Sequence, residues 1–260
     1  MDAGAAERAA TLLLAARRRQ RRVPALPPDC RPADASSGYQ VQDAMARLTG
    51  ADGGFKIGCT SARARAVIAT DEPFAGRLGR AAIHASPAVL PASGFMLRGI
   101  ECEFAFRLGR DLPARAAPYD EGDAAAAVAA VIPAIEVVES VFEDWTRVGV
   151  ASVIADNGGH GALVIGPETT DWRGLDLERH AIALSIDGRP VACGTGAEAL
   201  GGPLKALAWL ATDRARRGDG LRVGQIVTTG TCTGFHIVAP DASVLADFGA
   251  LGQVELRFLR

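Results

Sequence analysis

The sequence predicts an α+β protein in which a smaller, mainly helical N-terminal region precedes a larger β-rich region. Residues 3–22 are rich in alanine, leucine and arginine, which favour helix, and prolines at positions 24, 27 and 28 end this segment. Residues 98–107 alternate acidic and apolar side chains with the two-residue period of a β-strand. Short apolar runs separated by turn-forming residues fill most of the later chain. We place the boundary after residue 75, which gives regions 1–75 and 76–260.

Composition narrows the class of protein. The chain has 260 residues, 48% of them hydrophobic, and a net charge of −2, which excludes a disordered chain and gives no reason to expect a nucleic-acid partner. Five cysteines without a Cys-x-x-Cys pair predict reduced thiols in the cytoplasm. The longest apolar run near the start, Ala9–Ala16, is too short to span a bilayer, so we expect no membrane partner and no targeting segment.

The arginine cluster at residues 17–22 has two interpretations. Such a cluster occurs in nucleic-acid-binding and transit segments, and it also occurs at solvated helix ends. We favour the solvated helix end, because cations stabilise a helix C-terminus and no further basic face develops along the chain.

The rest of the N-terminal region continues with a helix at residues 39–48, a strand at 55–57 and a helix at 61–68. Ser37 or Asp34 is suited to cap the first of these helices. Residues 71–92 are rich in glycine, proline and small side chains, so they predict a loop that acts as a lid.

The β-rich region is expected to contain strands at 95–97, 100–108, 135–138, 162–165, 181–186, 191–193, 226–229 and 254–258. Strands 162–165 and 181–186 are expected to pair. The residues Asp187-Gly-Arg-Pro190 are expected to form a hairpin turn into strand 191–193. A helix is predicted at 124–131, and a second begins at Gly202-Pro203, because proline suits the first turn of a helix.

Candidate chemistry concentrates on acidic residues in apolar surroundings. Glu101 and Glu103 share one face of the predicted strand, where they are either solvated or brought together by a cation that offsets their repulsion. Glu136, within the apolar segment 131–138, is suited to supply a third carboxylate. Oxygen ligands of this kind suit a hard divalent ion such as Mg²⁺ or Mn²⁺.

Several short motifs follow one another in a specific order. They are Gly54-Phe-Lys-Ile-Gly58, Asp71-Glu-Pro73, Ile100-Glu-Cys-Glu-Phe-Ala105, Pro133-Ala-Ile-Glu-Val-Val138, Ala155-Asp-Asn157, Cys193-Gly-Thr-Gly196 and Gly224-Gln-Ile-Val-Thr-Thr-Gly230. Their order and spacing resemble the 2-keto-4-pentenoate hydratase / 4-oxalocrotonate decarboxylase family of the fumarylacetoacetate hydrolase superfamily, from about Tyr39 to the end of the chain. The resemblance implies a fumarylacetoacetate-hydrolase-like mixed β-sheet roll, with 76–260 as the catalytic domain, and a homo-oligomer.

The same resemblance implies a metal-dependent lyase that acts on a small 2-oxo or 2-hydroxydienoic acid. Glu101, Glu103 and Glu136 are then the ligands of Mg²⁺ or Mn²⁺, which acts as a Lewis acid toward the substrate. Lys56 is expected beside the metal, where it pairs with a substrate carboxylate or donates a proton, because burial easily lowers the pKa of a lysine.

Further site residues are also implied by the resemblance. Asp71 faces the site from the lid, and Asp156 orients a water molecule or Lys56. Substrate-binding roles fall to Asn157 and to the Thr-Gly turn at Thr229, Gly230 and Thr231, where backbone N–H groups are suited to hold an anion.

Two positions depart from the family pattern or invite a second interpretation. Family hydratases often carry a small hydroxyl residue shortly after the Asp-Asn pair, whereas this chain reads Gly158-Gly159-His160. His160 therefore either replaces the water-activating group or serves a structural role. Glu139 lies three residues beyond Glu136 and is expected to face solvent rather than to bind metal.

The predicted function is hydration of a 2-hydroxypenta-2,4-dienoate-type acid to a 4-hydroxy-2-oxo acid. The first alternative is decarboxylation of a 4-oxalocrotonate-like acid, for which Arg77 or Arg80 in the lid would recognise the distal carboxylate. Acylpyruvate C–C hydrolysis is less favoured, because it uses a His/Glu pair on the lid and His84 has no Glu at turn spacing there. A non-catalytic partner subunit of a hydratase/decarboxylase complex is the remaining alternative.

Overall fold

The computed structural model describes all 260 residues, Met1–Arg260, and contains six α-helices and thirteen β-strands. The helices are α1 (Ala3–Arg18), α2 (Ala35–Thr49), α3 (Ala62–Ile68), α4 (Glu121–Ala127), α5 (Val150–Ala155) and α6 (Pro203–Arg216). The strands are β1 (Gly54–Gly58), β2 (Phe74–Leu78), β3 (Ile83–Ala85), β4 (Ala88–Pro91), β5 (Gly99–Leu108), β6 (Val128–Val138), β7 (His160–Ile165), β8 (Ala181–Ile186), β9 (Arg189–Thr195), β10 (Ile226–Thr231), β11 (His236–Ile237), β12 (Ser243–Asp247) and β13 (Gln253–Leu259). The predicted α+β class is confirmed.

Two N-terminal helices form a layer beside the sheets. Asp2 caps the start of helix α1, and its side chain accepts a hydrogen bond from the Ala5 N–H. Helix α2 begins with a reciprocal capping box between Asp34 and Ser37, which satisfies backbone N–H groups that the first turn leaves free. The buried faces of α1 and α2 pack with Val141 and with α5 in a separate apolar cluster. This layer therefore covers the chain just beyond the end of β6.

The larger sheet has the strand order β2-β1-β10-β5-β6-β7-β3, and β11 also pairs with β5. Leu78 of β2 and Leu163 of β7 belong to one buried cluster although their strands lie far apart in that order. The sheet must therefore curl, which agrees with the predicted roll. The smaller sheet has the order β4-β13-β12-β8-β9 and packs against β6 and β7 through β13.

Strand β5 separates two environments. Its Cys102, Phe104 and Phe106 side chains lie in the main core, which includes the apolar residues of α6. The opposite face looks into the curl of the larger sheet, where the buried cluster consists of Leu78, Ala105, Ile132, Ala134, Leu163 and Ile226. Glu101 and Glu103 lie on that same inner face because side chains alternate along a strand. The acidic face therefore points into the interior of the curl, where Glu103 is fully buried and Glu101 is partly exposed.

The prediction of a lid loop at 71–92 is wrong. Strands β2, β3 and β4 lie within it, and β2 pairs with β1 along its whole length. Glycine and proline suggested a loop, but Gly76 lies within β2, where a Cβ would stand 2.5 Å from the Asn157 carbonyl oxygen and 2.9 Å from Cγ of Lys56. The glycine thus permits close approach of a functional side chain and does not break the strand.

Other local expectations also need correction. Residues 95–97 are irregular, and the helix predicted at 124–131 ends at Ala127, from which β6 continues through Pro133. Strands β7 and β8 do not pair, because β7 pairs with β6 and β3 while β8 joins the smaller sheet. Periodicity identified both strands but carries no information about which partner each one takes. The hairpin between β8 and β9 is confirmed.

The expected boundary after residue 75 stays a prediction. Strand β1, which precedes that boundary, pairs in parallel with β10 and is part of the larger sheet. None of the helices combines the length and the apolar character that crossing a bilayer requires.

Candidate metal centre

Three glutamates meet where β5 and β6 run side by side. Glu101 lies directly opposite Glu136 in the antiparallel pairing, and Glu103 is two residues further along the same face of β5. One carboxylate oxygen from each glutamate lies within 4.8 Å of the others. Sheet register thus places the three predicted ligands within reach of a single ion.

The carboxylates are incompletely satisfied by the protein. Glu103 and Glu136 are fully buried, and Glu103 Oε1 has no hydrogen-bond partner. Glu136 Oε2 accepts no well-aligned hydrogen bond and is compensated only by the Lys56 charge, 3.3 Å away. Buried carboxylate oxygens of this kind are costly unless a cation or donor compensates them. Three carboxylates that offer free oxygens to one point are the donor set that Mg²⁺ and Mn²⁺ prefer. The residues present therefore fit a divalent metal.

Burial and mutual repulsion change the pKa values of the three glutamates. Burial and the neighbouring Glu136 carboxylate raise the pKa of Glu101 to about 7. Burial, together with the Glu136 and Glu101 charges, raises the pKa of Glu103 well above its ordinary value. Burial opposes the charge on Glu136 as well, but Lys56 and His160 outweigh it and lower the pKa of Glu136. The centre thus holds more negative charge than its own cations neutralise.

Lys56 lies beside this cluster, as the sequence led us to expect. Its Nζ is 3.3 Å from Glu136 Oε2, and it donates a hydrogen bond to the Gly158 carbonyl oxygen at 3.1 Å. The expected lowering of its pKa does not occur. Burial acts in that direction, but the three nearby carboxylates outweigh burial and raise the pKa of Lys56. The three carboxylates therefore favour the ammonium form of Lys56.

Two further contacts orient the ligand set. His160 Nδ1 lies 2.9 Å from Glu136 Oε1, which leaves the other oxygen of Glu136 for the cluster. The Gly230 N–H donates a hydrogen bond to Glu103 Oε2 at 2.9 Å. Gly230 has φ 100°, and a Cβ there would lie 2.1 Å from Thr60 Oγ1, so only glycine fits. Such supporting contacts fix ligand orientation around a metal.

A cavity of about 400 Å³ opens at the centre. Lys56, Glu101 and Asp156 supply charged groups to its wall, whereas Val67 and Ile68 of α3 supply apolar groups. Trp145 and Phe235 also line it and pack edge to face, with ring centroids 5.7 Å apart. The cavity therefore combines a charged part with a largely apolar part, as small-molecule sites commonly do.

Asp156 is a buried carboxylate with a complete set of partners. Its Oδ1 accepts a hydrogen bond from Arg17 Nη2 at 2.9 Å, and its Oδ2 accepts one from Ser140 Oγ and one from the Val141 N–H, both at 3.0 Å. Burial raises the pKa of Asp156, and the Arg17 charge opposes that rise. Arg17 is a site residue that sequence interpretation missed.

Of the other predicted site residues, only Thr231 lines the cavity. The Asn157 side-chain amide exchanges two hydrogen bonds with the Arg77 backbone, and it does not line the cavity. Thr229 is buried and donates to the Phe104 carbonyl oxygen, whereas Thr231 lines the cavity. Asp71 is exposed in the turn before β2 and does not line the cavity. The roles of these residues stay predictions.

Glu139 is buried, so its expected exposure to solvent is wrong. It accepts backbone hydrogen bonds from Met96, Leu97 and Ser140, and it is not part of the three-glutamate cluster. The irregular segment before β5 needs an acceptor for its N–H groups, and Glu139 supplies it. The expectation that Glu139 does not join the metal ligands agrees with this placement.

The arginine cluster at the end of α1 is only partly solvated, which corrects the favoured interpretation. Arg17 contacts Asp156, and Arg22 donates a hydrogen bond to the Met96 carbonyl oxygen at 2.6 Å. Arg18 and Arg19 are exposed and have no side-chain partner. A run of identical residues hides which member turns inward, so no signal in the sequence separated Arg17 from its neighbours.

The residues considered for alternative reactions lie away from the cavity. Arg77 binds Asp43 through Nε at 3.1 Å, and Arg80 pairs with Asp52. His84 lies on β3 beside Val164 of β7. None of these three side chains lines the cavity.

Comparison with known proteins identifies a matching family model and several similar proteins. Residues 61–258 match the family model described as fumarylacetoacetate (FAA) hydrolase, C-terminal. The 2-keto-4-pentenoate hydratase of Paraburkholderia xenovorans (strain LB400) is 34% identical over 205 residues, covering 79% of this chain and 75% of that protein. The 2-keto-4-pentenoate hydratase 2 of Dechloromonas aromatica (strain RCB) is 34% identical over 258 residues, covering 98% and 97%.

A solved structure is also similar over the whole chain. The 4-oxalocrotonate decarboxylase from Pseudomonas putida G7, complexed with magnesium and adipate, superposes with a TM-score of 0.93 at 26% identity. The match covers 100% of this chain and 99% of the decarboxylase. The N-terminal helices are therefore included in the structural similarity although they precede the family match.

Proposed function

The chain belongs to the fumarylacetoacetate hydrolase family, and from this premise we propose that it is a divalent-metal-dependent hydratase, a hydro-lyase of aromatic-compound catabolism. It adds water to a 2-hydroxy-2,4-dienoate and gives a 4-hydroxy-2-oxo acid. The observation that carries this proposal is the cluster of Glu101, Glu103 and Glu136, whose carboxylates converge beside Lys56 at a substrate-sized cavity. The hydratases named above support the same reaction class.

The three glutamates would hold Mg²⁺ or Mn²⁺. A divalent ion bound there supplies Lewis-acid polarisation of the oxygen at C2 of the substrate. Hydrogen bonds with the His160 ring and from the Gly230 N–H fix the orientation of the Glu136 and Glu103 carboxylates, respectively. The protein's own contribution is thus a fixed set of oxygens that needs little rearrangement before reaction.

Lys56 and Asp156 are the proposed proton-carrying groups on the cavity wall. The reaction first moves the proton of the C2 hydroxyl away while C5 gains a proton, which gives a 2-oxo-3-enoate. Water oxygen then bonds to C4, and C3 gains a proton. Lys56, as an ammonium, is suited to donate or to pair with the substrate carboxylate, and Asp156 is suited to accept a proton from water.

The cavity wall favours a substrate without a second carboxylate. The arginines considered for that role, Arg77 and Arg80, are engaged elsewhere. Apart from the charged groups of the centre, Arg63 is the arginine that lines the cavity, and it is exposed on α3. An exposed cation discriminates weakly because water screens it. Hydration is therefore favoured over decarboxylation of an oxalocrotonate-type diacid.

Decarboxylation remains the second candidate because one specific observation favours it. The decarboxylase structure from P. putida G7 superposes over the full chain, and that decarboxylase is in complex with a diacid, adipate. Acylpyruvate hydrolysis and a non-catalytic partner role have less support, since His84 lies off the cavity and the three-glutamate cluster is intact.

The test is an ultraviolet assay of metal-stripped protein with Mg²⁺ or Mn²⁺ added back. Freshly made 2-hydroxypenta-2,4-dienoate and 4-oxalocrotonate are the two substrates, and products are identified by mass. We expect metal-dependent gain of water on the first substrate. Loss of carbon dioxide from the second substrate alone would reassign the enzyme as a decarboxylase. Absence of both reactions with metal bound would reject the lyase proposal and leave acylpyruvate hydrolysis or a partner role.

Two further properties belong to the same proposal. A cytoplasmic location agrees with five cysteines that are all free. We also propose a homo-oligomer, with a small acid as substrate and neither nucleic acid nor membrane as partner. Size-exclusion chromatography with light scattering measures the oligomeric state directly.

A further inference from the structure

One guanidinium group joins the N-terminal helix to the wall of the cavity. Arg17 Nη2 donates to Asp156 Oδ1 at 2.9 Å, and Arg17 Nη1 donates to the His160 carbonyl oxygen at 2.6 Å. We propose that Arg17 is a positioning residue for the reaction, holding the Asp156 carboxylate and the start of β7 in their productive arrangement. This inference rests on the proposed function, in which Asp156 faces the substrate.

The first reason is charge. Asp156 is 1% exposed, and its other hydrogen-bond partners, Ser140 and the Val141 N–H, are neutral. Arg17 is thus the cation that forms an ion pair with this carboxylate. A buried carboxylate without a cation favours protonation or movement toward water. Arg17 therefore keeps Asp156 both charged and in place.

The second reason is the hydrogen bond that the other terminal nitrogen of Arg17, Nη1, donates to the chain at His160. The His160 carbonyl oxygen that Arg17 binds belongs to the first residue of β7, and the His160 ring contacts Glu136. One planar group therefore fixes two residues that flank the glycines at 158 and 159. Those glycines have positive φ values of 65° and 74°, so this part of the chain has few side chains of its own to hold it.

Planarity makes arginine specific at this position. Its guanidinium offers two parallel donors in a rigid fork, whereas lysine offers one compact charge on a flexible stem. Substitution by lysine would keep an ion pair with Asp156 and lose the simultaneous bond to the His160 carbonyl. The two contacts can thus be separated by experiment.

Arg17 lies outside the part of the chain that the family model matches. The family match begins at residue 61, and Arg17 lies before it on α1. Arg18 follows directly, has the same chemistry, and is exposed without a side-chain partner. It supplies a matched control on the same helix.

The experiment compares Arg17→Gln, Arg17→Lys and Arg18→Gln with the wild-type protein, all in the metal-loaded full chain. We expect Arg17→Gln to lower kcat by about 10- to 100-fold, as loss of a supporting contact around a catalytic group commonly does, with a smaller change in KM. Arg17→Lys should recover only part of this loss. Added guanidinium ion should raise kcat of Arg17→Gln and leave Arg18→Gln unchanged.

Separate measurements exclude a merely structural explanation. Circular dichroism and Mn²⁺ binding identify variants that fold and keep the centre, and a folded Arg17→Gln with wild-type kcat would overturn the proposal. If Arg17→Gln does not fold, Arg17→Lys with wild-type kcat and KM would overturn it equally. Failure of the proposed function is distinguished by the wild-type protein, which would then turn over neither dienoate nor oxalocrotonate.

A readout without substrate completes the test. Hydrogen exchange of the peptide that spans residues 156–160 should become faster in Arg17→Gln and Arg17→Lys and stay unchanged in Arg18→Gln. Unchanged exchange in both Arg17 variants would contradict the positioning role whatever the reaction proves to be.

Discussion

The protein contains two groups of buried carboxylates that differ in how far the chain satisfies them. Glu101, Glu103 and Glu136 repel one another, and two of their buried oxygens accept no hydrogen bond. Asp156 and Glu139 are also buried, yet each accepts three hydrogen bonds.

The difference separates the candidate metal ligands from carboxylates that the protein itself holds in place. A carboxylate whose oxygens all bond to the protein organises the chain around it, as Glu139 organises the segment before β5. Carboxylates left with free oxygens are stable together only when a cation joins them. Burial of acidic residues alone would not have distinguished the two groups, and counting their hydrogen-bond partners does.

The largest expected effect comes from removing one member of the unsatisfied group. We expect Glu103→Gln to lower kcat by about 10³-fold or more, because Lewis-acid stabilisation is worth several kcal/mol. The metal-free variant should nevertheless unfold at a temperature no lower than wild type, because the change removes repulsion and Gln can still accept from the Gly230 N–H. A variant that is active and less stable would contradict the comparison.

The second expected effect is stabilisation by metal. A ligand at a hundred times its Kd stabilises the folded state by about 2.7 kcal/mol, so Mg²⁺ or Mn²⁺ should raise Tm by about 5–10 °C. The rise should be larger at pH 8 than at pH 5, since the ligands must be deprotonated and the pKa of Glu101 is raised to about 7. Differential scanning fluorimetry measures it, and Glu103→Gln should show little shift.

The smallest expected effect concerns the satisfied group. Glu139→Gln replaces an acceptor of three N–H groups by one that matches them less well, so we expect a loss of about 1–3 kcal/mol in the free energy of unfolding. Urea denaturation measures this loss. Metal affinity should stay at the wild-type value, and a variant that loses Mn²⁺ would show that the two groups are not separate.

Much of the centre could be predicted because its signals are local. Alternation placed Glu101 and Glu103 on one face, and the apolar surroundings of Glu136 marked it as buried. Family resemblance supplied Lys56 and the fold. The pairing of β5 with β6, which sets Glu101 opposite Glu136, was not predicted and comes from the structure.

The parts that failed depend on distant contacts. Arg17 reaches a residue far along the chain, and nothing in a run of arginines identifies the inward member. Glu139 is buried because the segment at residues 96–97 needs its oxygens, which only the folded structure reveals. Strand β2 was missed because glycines that allow close packing were interpreted as breaks.

The parallel pairing of β1 with β10 has a consequence for synthesis of the chain. Gly54 pairs with Ile226, so the strand that carries Lys56 reaches its final neighbour only after most of the polypeptide has emerged from the ribosome. The glutamates on β5 and β6 come from adjacent strands and meet earlier. The three glutamates can therefore come together and repel one another in a nascent chain before Lys56 and Gly230 take their final places beside them. We therefore expect divalent ions present during synthesis to raise the yield of folded protein.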